Sequence, residues 1–220
     1  MPLLKQHARL GRRKAQFWDS SEVLVELVSR ALENAGWRIQ TASSKAEKAY
    51  PTGDGKRVFP DIAAFNGRYW LFSEVKSRLF LLRDLRREHI TYHFAPAPRC
   101  RDAFSSLPAR DPRDRGACEM QRLEMACSTQ ATSTGTRGFV SAIVPEYVAG
   151  WKLDELTICL EEMNASSSIP VELWILSGRV NGINLFKKLA RQGTPDVPMI
   201  PDRIVNDVAK EFGISFQMTT

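Results

Sequence analysis

From Val58 to Arg78 the chain reads V-F-P-D-I-A-A-F-N-G-R-Y-W-L-F-S-E-V-K-S-R, two apolar and aromatic runs meeting at Asn66-Gly67. Asn-Gly predicts a tight hairpin, because both central positions of a type I′ turn need positive φ. With Asn66 and Gly67 as the loop residues, Phe65 faces Arg68, Asp61 faces Phe72, and Glu74 is the diagonal neighbour of Asp61. Side chains alternate with period two. Asp61, Glu74 and Lys76 therefore share one face with Phe59, Ala63, Phe65, Trp70 and Phe72, while Val58, Ile62, Ala64, Leu71 and Val75 line the other. A ribbon apolar on both faces is expected in the middle of a sheet. Diagonal Cβ atoms lie roughly 7–8 Å apart, close enough for both carboxylates to reach one ion.

The remaining periodicities supply the neighbours. Leu24, Leu27, Val28, Ala31, Leu32 and Ala35 follow helical spacing, with Asp19 as expected N-cap, Glu22 at N3 and Gly36 as terminator. Residues 37–41 read as a short strand and 42–57 as a polar loop with Lys45, Lys48, Lys56 and Arg57. Residues 79–94 suit an amphipathic basic helix. Residues 95–137, with Pro96, Pro98, Pro108 and Pro112 among many Arg, Ser and Thr, read as a loop-rich insertion, with a helix near Cys118 to Cys127. Buried strands are expected at 138–144 and 171–177, separated by a helix over 153–163. Basic Asn184–Arg191 reads as helical, and Pro201–Phe212 as a last helix. The order gives a mixed α/β sheet. The expected organisation is a basic arm at 1–18, a core at 19–180 and a C-terminal helical extension at 181–220.

Composition narrows the function classes. The net charge is +6, and residues 1–18 hold Lys5, Arg9, Arg12, Arg13 and Lys14 with no acid. Such an arm suits phosphate binding, or simply a solvated tail. No run of eighteen apolar residues occurs, so no membrane span is expected, and no apolar segment follows the N-terminal charges as in a secretory signal. Cys100, Cys118, Cys127 and Cys159 lack zinc-ribbon or C-x-x-C spacing, which points to a reduced, cytoplasmic protein. His89 and His93, four apart and with Cys100 nearby, do not complete a recognisable zinc set. The G-D-G-K piece is not a phosphate loop, Ser73-Glu74-Val75-Lys76 lacks the companion motifs of a β-lactamase, and no nucleophile elbow is present.

Two carboxylates and a lysine on an apolar face need partners or a metal. A structural ion pair of Lys76 with Glu74 or Asp61 is one account. The residues also resemble a family. Pro60-Asp61 followed by Glu74-Val75-Lys76 has the P-D…(D/E)-x-K form of the restriction-endonuclease-like nucleases. Asp61, Ala64, Asn66, Gly67, Leu71, Glu74, Val75 and Lys76 fill the fuller pattern of the archaeal Holliday-junction resolvases. The resemblance covers about twenty residues. It implies a mixed central sheet flanked by helices and a cut phosphodiester bond. It further implies Mg²⁺ or Mn²⁺ on Asp61, Glu74 and the Val75 carbonyl, with Lys76 as catalytic amine. The family often takes a third acid from the preceding helix. Glu22 and Glu26 are the candidates, Glu26 at the better distance, although both fall away from the apolar stripe.

The leading expectation is a metal-dependent DNA endonuclease of restriction or mobile-element type, nucleoid-associated, with Arg12, Arg13, Lys14, Arg83, Arg86 and Arg87 contacting DNA. A junction resolvase, which would be a homodimer, and a catalytically inactive DNA-binding or assembly subunit are the alternatives.

Overall fold

The computed structural model describes residues 17–42, 48–77, 90, 93–96, 119–146, 150–179 and 182–214. A 3-10 turn at Phe17–Asp19 leads into α1 (Ser21–Asn34), β1 (Arg38–Thr41), a small ribbon of β2 (Tyr50–Pro51) and β3 (Arg57–Val58), then β4 (Ile62–Phe65) and β5 (Tyr69–Val75). After these come α2 (Glu119–Thr134), β6 (Arg137–Pro145), α3 (Gly150–Ser166), β7 (Val171–Arg179), β8 (Gly182–Leu189) and α4 (Asp202–Glu211). Six strands form one mixed sheet in the order β1-β4-β5-β6-β7-β8. The first three are antiparallel, β5, β6 and β7 run parallel, and β8 returns antiparallel to β7. The chain is thus an α/β protein with a mixed sheet flanked by helices.

Alternation along the strands builds two cores. Ile62, Ala64, Leu71, Val75, Phe139 and Trp174 pack with α1 and α4 on one face. Ala63, Trp70, Phe72, Val140, Ala142 and Leu173 pack with α2 and α3 on the other. Both faces of β5 are buried, as expected of a central strand.

The structure corrects several expectations. The N-cap of α1 is Ser20, one residue past Asp19. Phe17 and Trp18 are core residues rather than part of an arm. Within the expected polar loop, β2 pairs with β3, and Tyr50 is buried against Trp70 and Phe72. Residues 119–134 of the expected insertion are the crossover helix between parallel β5 and β6, which such a connection requires. The later part of the α2 apolar stripe is short-chained (Ala126, Cys127, Ala131), so the helix lies close to the sheet there.

Residues 182–189 form the last strand of the main sheet, not a helix: Ile183 and Leu185 are buried while Asn184 is exposed, the alternation of a strand. With α4 packed beside α1, residues 182–214 belong to the core and are no separate extension.

Gly138 is required by the close approach of α2. A Cβ there would sit 3.0 Å from Cys127 Sγ, 3.1 Å from Ala131 Cβ and 3.3 Å from the Cys127 carbonyl oxygen. The helix backbone cannot yield cheaply, so Gly138→Ala should lower stability by about 1–3 kcal/mol, read from urea unfolding.

Candidate active site

The hairpin that positions the site is built one residue later than Asn-Gly chemistry suggests. Phe65 pairs with Trp70, Ala63 with Phe72, and Ile62 with Ser73. Asn66 N–H donates to the Tyr69 carbonyl at 3.2 Å, leaving Gly67 and Arg68 as the central residues. The cause is the Asn66 side chain, whose Oδ1 accepts the N–H groups of Arg68 (3.0 Å) and Tyr69 (2.8 Å). An asparagine that bonds the backbone two residues on belongs at the start of a turn. Gly67 then takes the positive φ, 92°.

This correction moves every partner by two positions, and a shift of two leaves each side chain on its own face. The predicted faces hold for Ala63, Trp70 and Phe72 against Ile62, Ala64, Leu71 and Val75. Two residues before β4 depart from the expectation. Val58 packs with the α2–α3 core, and Phe59 is 56 % exposed. Asp61 stands one residue before the Ile62–Ser73 pair, beside the end of β5 that carries Glu74.

Asp61 immediately precedes β4, after buried Pro60, and its Oδ2 accepts the Val75 N–H at 2.7 Å. Its carboxylate is thereby aimed at the end of β5. Glu74 and Lys76, two apart and on the α2 side, are joined by a short ion pair. The lysine ammonium also reaches Glu119 Oε2 at 3.1 Å, and His93 Nδ1 lies 2.7 Å from that same oxygen. Glu119 is the first residue of α2, where acids are favoured by the helix dipole. Asp61, Glu74, Lys76, Glu119 and His93 therefore converge where β5 ends and α2 begins. Sequence reasoning missed Glu119, which stands forty-odd residues past Lys76 in an apparent insertion.

The electrostatics are those of a buried, mutually coupled cluster. Burial, then the charge of Asp61, pushes the Glu74 carboxyl well above the ordinary range, and Lys76 only partly opposes this. Burial alone would lower the Lys76 ammonium, but Glu74 and Glu119 override it and raise it. Burial would raise Glu119, but hydrogen bonding to His93 and the charge of Lys76 hold it well below the carboxylate range.

The sign for stability follows from linkage. A carboxyl raised on folding contributes stability below its unfolded value, near 4.5, and loses it as pH rises through the folded value. In metal-free buffer, Glu74→Gln should therefore gain stability relative to the native chain as pH climbs from 4 toward 8. Unfolding midpoints across that range are the check, and a constant difference would contradict it.

Glu26 belongs to a different set. It is buried rather than turned to solvent, because α4 covers that flank of α1. Its Oε1 pairs with Arg30 Nε at 2.7 Å, and Arg30 continues to Glu211 on α4. These contacts tie two helices on the sheet face opposite Glu74 and do not join Glu26 to the cluster. His93 is the neighbour of Glu119. The proposed DNA contacts Arg12, Arg13, Lys14, Arg83, Arg86 and Arg87 lie outside the described residues, as do His89 and Cys100.

The donor set suits a hard divalent cation. Among the described residues no group of three or more His, Cys, Asp and Glu is placed to hold a metal ion. Mg²⁺ commonly uses one or two carboxylates and keeps several waters, so the Asp61–Glu74 pair meets that pattern. The repulsion Asp61 exerts on buried Glu74 is the strain that a cation between them would relieve. Among the described residues no helix is long and apolar enough to cross a membrane. Comparison with models of protein families, with curated proteins and with solved structures finds no match for this chain.

Proposed function

We propose that this protein is a metal-dependent DNA endonuclease with a restriction-endonuclease-like core, of restriction or mobile-element type. The observation that carries the reading is the convergence of Asp61, Glu74 and Lys76 at the end of β5. A mixed sheet flanked by helices is what the resemblance implied, and it supports the same reading. The resolvases that the motif resembles are compact and lack so long a C-terminal part as β8 and α4 form here, which favours the restriction type.

Asp61 and Glu74, with the Val75 carbonyl, would hold Mg²⁺ or Mn²⁺. Bound there, the ion supplies Lewis acidity toward a phosphate oxygen and a more acidic water. The protein's own groups do the rest. The Val75 N–H fixes the Asp61 carboxylate, so it needs no reorganisation when substrate arrives. Lys76, kept as an ammonium by Glu74 and Glu119, stabilises negative charge growing on the phosphate. The surrounding burial strengthens each of these interactions.

One observation favours a second reading. The direct Lys76–Glu74 ion pair is also what a structural salt bridge in an inactive DNA-binding subunit would show. Cleavage of linear, four-way-branched and single-stranded DNA, with and without Mg²⁺ or Mn²⁺, separates these readings. An endonuclease of restriction type cuts linear duplex. A resolvase cuts only the branched substrate, and the inactive subunit binds DNA in a salt-sensitive way without cutting.

A further inference from the structure

The geometry points to Glu119 as a positioning residue for the Lys76 amine, with His93 as its support. This inference rests on the endonuclease reading and extends it to residues outside the motif. Lys76 lies just past the end of β5, where its backbone N–H still donates to the Ile143 carbonyl at 3.0 Å. Its side chain is held by two carboxylates from two separate elements, Glu74 from β5 and Glu119 from α2. An ammonium held by one acid can swing around it, whereas two acids on independent supports define a point. That distinction matters because Glu74 is also the acid proposed to hold the cation. A lysine drawn wholly onto Glu74 would compete with the cation for the same oxygens, and Glu119 gives it a second acceptor on α2.

Glu119 is in turn fixed by His93, a buried side chain 2.7 Å from the oxygen that reaches Lys76. The order His93, Glu119, Lys76 is thus an outer support for the amine, of the kind whose loss typically costs about 10–100-fold in activity. Glu119 is not a catalytic residue in this account: among the described residues its carboxylate contacts the Lys76 amine and the His93 ring.

Two measurements on the intact 220-residue chain test the assignment. The first does not depend on catalysis: the rate at which Lys76 is acylated by an N-hydroxysuccinimide ester, read by peptide mass spectrometry. Glu119→Ala and Glu119→Gln should each raise this rate several-fold, the alanine more, and His93→Ala should act in the same direction. If the alanine variant fails to fold, the glutamine variant provides the comparison. Acylation equal to the native chain in folded Glu119→Gln and His93→Ala overturns the proposal.

The second measurement is the single-turnover cleavage rate. Glu119→Ala should lower it about 10–100-fold with substrate affinity nearly unchanged. In a Lys76→Ala background the same change should add little, because the group it positions is gone. Full additivity of the two losses would also overturn the assignment. A native chain that cuts no DNA would remove the endonuclease reading, while the acylation result would still decide the role of Glu119.

Discussion

Asp61→Ala should reduce Mg²⁺-dependent DNA cleavage by on the order of a thousandfold or more, with the fold intact. Metal-ion stabilisation of a phosphoryl transition state is worth several kcal/mol, and each decade of rate is about 1.4 kcal/mol. Losing one of the two proposed carboxylate ligands would forfeit most of that. The folded state should tolerate the change. Asp61 is only partly buried, and the N–H it accepts from belongs to Val75 near the end of a strand. Removing Asp61 also relieves its repulsion of Glu74. Lys76→Ala should cost somewhat less, about 100–1,000-fold, the scale of one preorganised charge-stabilising group. Initial rates at saturating Mg²⁺ for native, Asp61→Ala and Lys76→Ala proteins measure both. Cleavage that survives both substitutions would remove the site assignment.

The largest stability effect should come from Glu172, far from that cluster in sequence and on the opposite face of the sheet. Its side chain is completely buried on β7. One oxygen accepts from Lys187 Nζ at 2.9 Å, Thr194 Oγ1 at 2.6 Å and the Arg191 N–H at 3.2 Å, and the other from Trp174 Nε1 at 2.8 Å. A single carboxylate thus pairs β7 with β8 and anchors the segment after β8. Glu172→Ala leaves the Lys187 charge and the indole N–H without that acceptor, at a cost of about 3–5 kcal/mol. For a domain of this size that corresponds to roughly a 10 °C fall in Tm. Replacing Glu172 and Lys187 together by methionine should recover part of the loss, because no buried charge is then stranded. A loss below about 1 kcal/mol for the single change would mean that water replaces the carboxylate, contrary to the geometry described.

How much of this could be read from sequence depended on how far apart the interacting residues stood. The faces of β4 and β5 were legible because parity survives an error of two in register, and the turn error was of that size. The turn itself was misread because dipeptide statistics describe φ, whereas the Asn66 side chain selected its own place in the turn. Strands β6 and β7 were legible as runs dominated by Val, Ile, Leu and aromatic residues, interrupted only by the polar Ser141 and Glu172 within 138–144 and 171–176. Strand β8 was not, because Lys187 and Lys188 gave a basic helical look that masked the alternation of Ile183, Asn184 and Leu185. Helix α2 was legible only in its first half, near Cys118 to Cys127; beyond that its small and polar residues hid it, and Ala131 is small because the sheet lies so close. Glu119 could not be assigned a role at all. Its partners come from other elements, and no periodicity links them. The burial of Glu26 depended in the same way on α4, some 180 residues further on, as the Arg30–Glu211 pair shows.

The central claim is that Asp61 and Glu74 share a divalent cation beside Lys76. Titration of Mn²⁺ into the metal-free protein, followed by the loss of the free-ion paramagnetic resonance signal, tests it most directly. The account predicts saturable Mn²⁺ binding to the native chain that Asp61→Asn and Glu74→Gln each abolish while both variants remain folded. Binding of equal affinity and stoichiometry in native protein and both variants would contradict it.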